Sequence, residues 1–223
     1  MEINVVQKVL KVNDELAQQV RERLRAAGVV AVNLISAPGS GKTTLLETSI
    51  PLLRDKLRMG VIEGDPETTR DAERIARHDV PVTQINTAGG CHLEANLVLQ
   101  ALDRFDLDAL DILFIENVGN MVCPVGFDLG ETRRAALVSV PEGHDKPAKY
   151  PKLFRQTDLV ILNKIDLAPY MDFDETVFDR DLKHLNPDVQ LLRISCRTGE
   201  GLDGWTGWIR RLTEAGEAAE VNA

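Results

Sequence analysis

The sequence predicts an α/β fold, a mostly parallel sheet flanked by helices, with a further helix at the N-terminus. Three observations predict it. Short continuous Val/Ile/Leu runs recur along the 223 residues, as strands buried on both faces require. Segments of helical periodicity separate the runs, and parallel neighbours need such crossovers. The first run leads straight into a glycine-rich turn and a helix, the connection that presents backbone N–H groups to an anion. A chain of this length at 43% hydrophobic can bury a substantial core.

Residues 1–27 read as helix, with Ile3, Val6, Leu10, Ala17, Val20 and Leu24 on one stripe. Asn13-Asp14 offers a cap at which a second helix can begin, and Gly28 closes the segment. Strand and helix then alternate: VVAVNLI, helix 42–58, RMGVIEG, helix 67–78, VPVTQIN, helix 92–103, DILFIEN, RAALVSV, TDLVILN, VQLLRIS and helix 201–212. The organisation read from this is an N-terminal helical segment 1–28, a nucleotide domain 29–213, and a small, acidic, flexible tail 214–223.

Net charge is −9, which argues against nucleic-acid binding through clustered Lys and Arg. No apolar run reaches membrane-spanning length, and the first residues lack the basic-then-apolar pattern of a signal peptide. Three cysteines make no disulfide framework. The expectation is a soluble cytoplasmic protein with reduced thiols.

The turn after the first strand is SAPGSGKTT, residues 36–44: G-x-x-x-x-G-K-[ST] with Ser36 in place of the first glycine. From Pro38 through Gly39, Ser40 and Gly41 the backbone can curl so that its N–H groups face phosphate oxygens. Lys42 reaches the β- and γ-phosphates, the Thr43 hydroxyl suits Mg²⁺, and Thr43 and Thr44 open a helix whose dipole favours the anion. This is the signature of a P-loop NTPase. LVILNKIDL then ends a strand in Asn163-Lys164-x-Asp166. A carboxylate at Asp166 accepts from guanine N1–H and its 2-amino group, a donor pair that adenine lacks. Lys164 lays its stem along the base and Asn163 braces the loop. ISCRTGEG supplies Ser195 and Cys196, where backbone N–H contacts guanine O6. The nucleotide is therefore expected to be GTP.

Carboxylates for the γ-phosphate side come from EGDPETTRDAE and FIENVGN. Asp65 and Glu116 stand at strand C-terminal ends, where ligands bind in open α/β sheets. Gly119, three residues after Glu116, completes a D-x-x-G-like switch with Glu for Asp. One of the two carboxylates is expected in the magnesium shell and one at the attacking water, with Lys42 as the third catalytic group. Asp71 is a further candidate for the magnesium shell, or a helix N-terminal carboxylate favoured by the dipole. No Gln or Arg stands at an obvious catalytic spacing, so intrinsic hydrolysis is expected to be slow.

TAGGCHLEAN sets Cys91 beside His92, and Cys123 lies seven residues after Glu116. Three readings stand: a metal site, a thiol nucleophile with its base, or two core neighbours. Adjacent loop residues seldom align a thiolate with the neighbouring imidazole, and Gly89-Gly90 and Pro124 argue for exposed turns. Thiolate and imidazole suit nickel or zinc, and metal ligation fits best.

Taken together, SAPGSGKTTLL, EGDPETTRDAERI, INTAGGCHLEAN, IENVGNMVCP, FDLGE, HDKPAKYPKLF and LVILNKIDL resemble the nickel-insertion GTPases of [NiFe]-hydrogenase maturation, over roughly residues 3–212. The urease accessory GTPases are similar in the phosphate and base motifs, but carry a proline between cysteine and histidine. The resemblance implies a P-loop fold of the SIMIBI class, whose members dimerise across the nucleotide. It implies a homodimer that delivers nickel to the hydrogenase large-subunit precursor with a partner metallochaperone. It assigns the nickel or zinc ligands to Cys91, His92 and Cys123, near the dimer interface. Some members carry a Cys- or His-rich N-terminal extension; Met1 to Gly28 has neither residue, so nickel is expected to use the nucleotide-domain ligands. Two other readings are compatible with these motifs: a GTP-dependent recruiting switch with a structural zinc, and a chaperone of a cobalamin-dependent mutase.

Overall fold

The computed structural model describes residues 5–220, with side chains for 9–215. In chain order the helices and strands are α1 Val5–Ala26, β1 Val30–Ser36, α2 Lys42–Leu53, β2 Met59–Asp65, α3 Arg70–Ala76, β3 Val82–Asn86, α4 Ala95–Leu102, β4 Ile112–Glu116, β5 Arg133–Ser139, α5 Lys146–Lys149, α6 Pro151–Arg155, β6 Leu159–Asn163, α7 Glu175–Leu185, β7 Gln190–Arg193 and α8 Leu202–Glu220. The strands form one sheet in the order β3-β2-β4-β1-β5-β6-β7, every neighbouring pair parallel. The chain leaves β1 on one side for β2 and β3, returns through β4, and crosses to β5 on the other side. The reversal at β1 opens a crevice at the strand C-terminal ends.

Period-two alternation divides the core. Val30, Val32 and Leu34 of β1 pack toward α2 and α8 with Leu46, Ile50, Trp205 and Ile209. Ala31 joins the opposite face, where α1 and α4 contribute Val20, Leu24, Val98 and Leu102. Ile35 meets Phe154 and Phe178 of α6 and α7 on that same side. The apolar runs are therefore continuous because both faces are covered.

Several boundaries differ from those expected. α1 is one helix, not two. Asn13 is buried inside it and spends its side chain on other segments: Oδ1 accepts from Ala95 N at 2.9 Å, and Nδ2 donates to Asp128 O at 2.8 Å. Ala17, Val20 and Leu24 of the expected stripe are buried and Leu10 is partly so, while the Ile3 and Val6 side chains lie outside the described residues. α2 stops at Leu53 rather than 58, two residues after Pro51. α4 starts at Ala95 rather than 92, leaving Cys91 and His92 on a loop. α8 runs on to Glu220, past residue 214, where the tail was expected to start. The Ala- and Glu-rich EAGEAAE has the intrinsic preference to continue a helix; residues 221–223 lie outside the described ones.

Candidate functional site: a nucleotide cleft beside a thiol–imidazole cluster

The strand ends surround a cleft of about 410 Å³ lined by, among others, Pro38, Gly39, Gly41 to Thr44, Asp65, Asp71, Glu116 and Lys164. Gly39 and Gly41 hold φ of 75° and 105°, the left-handed region where glycine is favoured. Gly41 is also pinned by space, since a Cβ there would lie 2.5 Å from Asn163 Nδ2. Lys42 is buried and donates from Nζ to Ser36 Oγ at 3.1 Å, so the serine at the first motif position holds the lysine across the loop. The Ser40 hydroxyl donates to Glu142 Oε2 at 2.7 Å, tying the loop to the turn after β5.

The expected base loop is stitched to this turn. Asn163 Nδ2 donates to Ser40 O at 2.9 Å, while its Oδ1 accepts from Lys164 N and Cys196 N. Lys164 takes φ of 60° and its Nζ donates to Gly39 O at 2.7 Å. Asp166 Oδ1 accepts from Ser195 Oγ at 2.6 Å. Burial pushes the Cys196 thiol up to about 11, so it serves as a packed apolar group here. Asn163, Lys164, Asp166, Ser195 and Cys196 thus come together on one rim.

On the opposite rim Glu116 is buried, and its Oε1 accepts from Thr43 Oγ1 at 2.8 Å. The oxygens gathered around it come from Glu63 and Asp71, one from each of the three carboxylates lying within 4.8 Å of the others. Glu63 was not anticipated, and it stands where Asp65 was expected. Its register neighbour across β2 and β4 is Glu116, so the two side chains lie side by side. Asp65 lines the cleft, but its Oδ1 accepts from the backbone of Glu67 and Thr68. That Asx turn is the physical reason it stays out of the gathered oxygens. Burial, then Glu116 beside it, pushes the Glu63 carboxyl up to about 11; burial likewise raises Glu116, against the lowering effect of Lys42. Glu63 Oε2 and Glu116 Oε2 are buried without a hydrogen-bond partner. Two orphaned carboxylate oxygens beside a threonine hydroxyl are a hard-oxygen donor set, and they fit magnesium. A signal for Glu63 existed: an acidic residue inside the apolar run MGVIEG, two residues before Asp65 on the same strand face.

Arg74 of α3, which no catalytic motif in the sequence marks, also lines the cleft. It is held by Glu47 at 2.5 Å and Asp71 at 2.8 Å, and it donates to Thr44 Oγ1. Gly119 backs against the P-loop, where a Cβ would approach Pro38 Cα to 3.0 Å. The D-x-x-G-like segment is therefore in direct contact with the phosphate turn.

Cys91, His92 and Cys123 do converge, with one ligand atom from each within 4.8 Å of the others. Cys91 Sγ lies 3.5 Å from His92 Nδ1. Hydrogen bonding to Cys123 holds the Cys91 thiol above its ordinary range, the reverse of what a nucleophile needs. Burial lowers the His92 imidazole, favouring the neutral ligand form, while Glu94 opposes that shift. Its ring lies against Phe127, centroids 3.9 Å apart and tilted by 31°, and Nε2 is buried without a hydrogen bond, 3.7 Å from Glu94 Oε1. Cys91 is exposed, so the cluster opens to the surface.

Comparison with known proteins agrees with this geometry. The family model described as the CobW/HypB/UreG nucleotide-binding domain matches residues 30–193. The hydrogenase maturation factor HypB of Azotobacter vinelandii is 46% identical, over 99% of this chain and 73% of its own length. The crystal structure of HypB from Archaeoglobus fulgidus superposes with a TM-score of 0.86 at 40% identity, covering 92% of this chain and all of that one. HypB from Helicobacter pylori in complex with nickel gives 0.87 at 36% identity, over 91% of this chain and 95% of that one.

Proposed function

The chain belongs to the CobW/HypB/UreG family of nucleotide-binding proteins, and within it to the HypB hydrogenase maturation factors; from that premise we propose that it is a GTP-hydrolysing metallochaperone that assists nickel insertion into [NiFe]-hydrogenase. The observation that carries this reading is the shared strand end. Glu116 of β4 receives the Thr43 hydroxyl, and the segment leaving Glu116 brings Cys123 to Cys91 and His92.

In this reading the backbone of residues 38–44 cradles the phosphates, and Lys42 leaves Ser36 to neutralise them. Asp166 selects guanine while Asn163 fixes the loop against Ser40. Magnesium, when bound, offsets charge on the phosphate oxygens, and Thr43, Glu116 and Glu63 are the residues that would hold it. Asp71, oriented by Arg74, is assigned to the attacking water, and Asp65 shapes the cleft edge. Because Glu47 and Asp71 restrain Arg74, no unpaired arginine among the described residues joins Lys42 at the γ-phosphate, and unassisted turnover is slow.

Nickel is the cargo. One chain offers three ligands where nickel or zinc takes four or more, and the exposed Cys91 and Val122 support a second copy of the chain completing the shell. The route continues from a partner metallochaperone to the hydrogenase large-subunit precursor, in the cytoplasm. Phosphate release from GTP and ATP, measured beside nickel binding to wild type and Cys123→Ser, tests the reading. GTP turnover without ATP turnover and weaker nickel binding in the variant support it. Comparable ATP turnover, or unchanged nickel binding, contradicts it.

A further inference from the structure

One buried side chain stands between the carboxylate cluster and the thiol–imidazole cluster. Asn117 follows Glu116 and is 1% exposed. Its Oδ1 accepts from Leu93 N at 3.1 Å and from Val118 N at 3.0 Å. Its Nδ2 donates to Asn33 Oδ1 at 3.3 Å. The Leu93 amide belongs to the peptide unit that begins at the His92 carbonyl. The path from the Thr43 hydroxyl to a thiol–imidazole ligand therefore runs through Glu116, Asn117 and a single peptide group.

We propose that Asn117 is the positioning residue that couples the nucleotide site to the metal loop, an inference that rests on the reading of a nucleotide-dependent metal site. The far end of its amide is anchored. Asn33, fully buried in β1, donates to Glu131 Oε1 at 3.1 Å, and Arg134 holds that carboxylate at 2.7 Å. Displacement of Glu116 therefore does not let the Asn117 amide drift; it makes or breaks the bond to the His92–Leu93 peptide. A buried amide resists being left unpaired, which favours discrete arrangements over graded ones.

The leucine itself adds a second contact. Leu93 is fully buried, and a Cβ on Gly64 would lie 2.9 Å from its side chain, so the glycine is the seat on which it rests. Gly64 is flanked by Glu63 and Asp65, and Thr87 N donates to Asp65 O at 3.1 Å. The metal loop is thus held on both carboxylate strands. The residue type follows from the geometry: Asn117 must accept from Leu93 and donate to Asn33 at once. An aspartate would only accept and a leucine would do neither.

The experiment is nickel affinity of wild type and Asn117→Ala, each with GDP and with a non-hydrolysable GTP analogue, by competition with a chromophoric chelator. The wild-type affinities are expected to differ by at least about fivefold between states, and those of the variant by less than about twofold. A merely structural role would lower both affinities and leave their ratio intact; that result overturns the proposal. Equal affinities in the wild type overturn the coupled reading and this inference together, so the two failures are distinguishable. Hydrogen exchange at the wild-type Leu93 amide gives an answer even if the variant does not fold. Its rate is expected to change with nucleotide, and an unchanged rate beside a changed nickel affinity overturns the role of Asn117.

Discussion

Two carboxylates buried side by side on neighbouring strands repel one another unless a proton or a cation intervenes, so Glu63 and Glu116 identify themselves by the cost of keeping them. Without a divalent cation the folded chain keeps a proton at Glu63 that the unfolded chain releases above its ordinary 4.5. Stability from this group is full below that pH and falls as pH rises toward about 11. Glu63→Gln should flatten the fall in melting temperature between about pH 5 and pH 8 in chelator, and should slow magnesium-dependent GTP hydrolysis by about tenfold or more. Thermal scans and phosphate release check both; a variant with wild-type turnover would remove Glu63 from the magnesium site. At the other rim, Asp166→Asn should weaken GTP and admit xanthosine triphosphate, because the amide donates where the carboxylate only accepts. Competition binding reads it, and retained GTP preference would contradict the base assignment. Lys42, Thr43 and Asp166 were legible because their motifs are local. Glu63 left only a local trace, an acidic residue in an apolar run, because its meaning lies in a strand partner more than fifty residues away.

Helix α1 belongs to the nucleotide domain rather than standing off it. Asn13 satisfies the Ala95 N–H at the start of α4 and donates to Asp128 O, and Arg21 reaches the Asp128 carboxylate at 2.7 Å. Asn13→Ala should destabilise the chain by about 1–3 kcal/mol, as an unpaired buried donor does. Chemical denaturation measures this, and a change within error would show α1 to be loosely held. The same contact explains the late start of α4. Leu93 and Ala95 give their N–H groups to Asn117, just past β4, and to Asn13 of α1, not to a helix begun at His92. Helix periodicity carries no trace of such distant acceptors. It did carry the sheet, since each apolar run became a strand and the strands pair in parallel.

At the scale of the whole molecule, the phosphate turn, the carboxylates and the candidate metal ligands lie near adjoining strand ends of one sheet. A change at the γ-phosphate has only the β4 segment to cross before it reaches Cys123. Cys123→Ser should lower nickel affinity and make it independent of nucleotide while GTP still binds, as paired metal and nucleotide titrations would show. With three candidate ligands on one chain, the proposed site needs a fourth from elsewhere, and a fourth ligand supplied by a second copy has no mark in a single sequence. Binding linkage is reciprocal, so bound nickel must alter nucleotide affinity by the same factor that nucleotide alters nickel affinity. The most direct test is the dissociation constant of a non-hydrolysable GTP analogue with and without saturating nickel. A shift of at least about fivefold is expected; identical constants in the two titrations would show that nucleotide and nickel are not coupled.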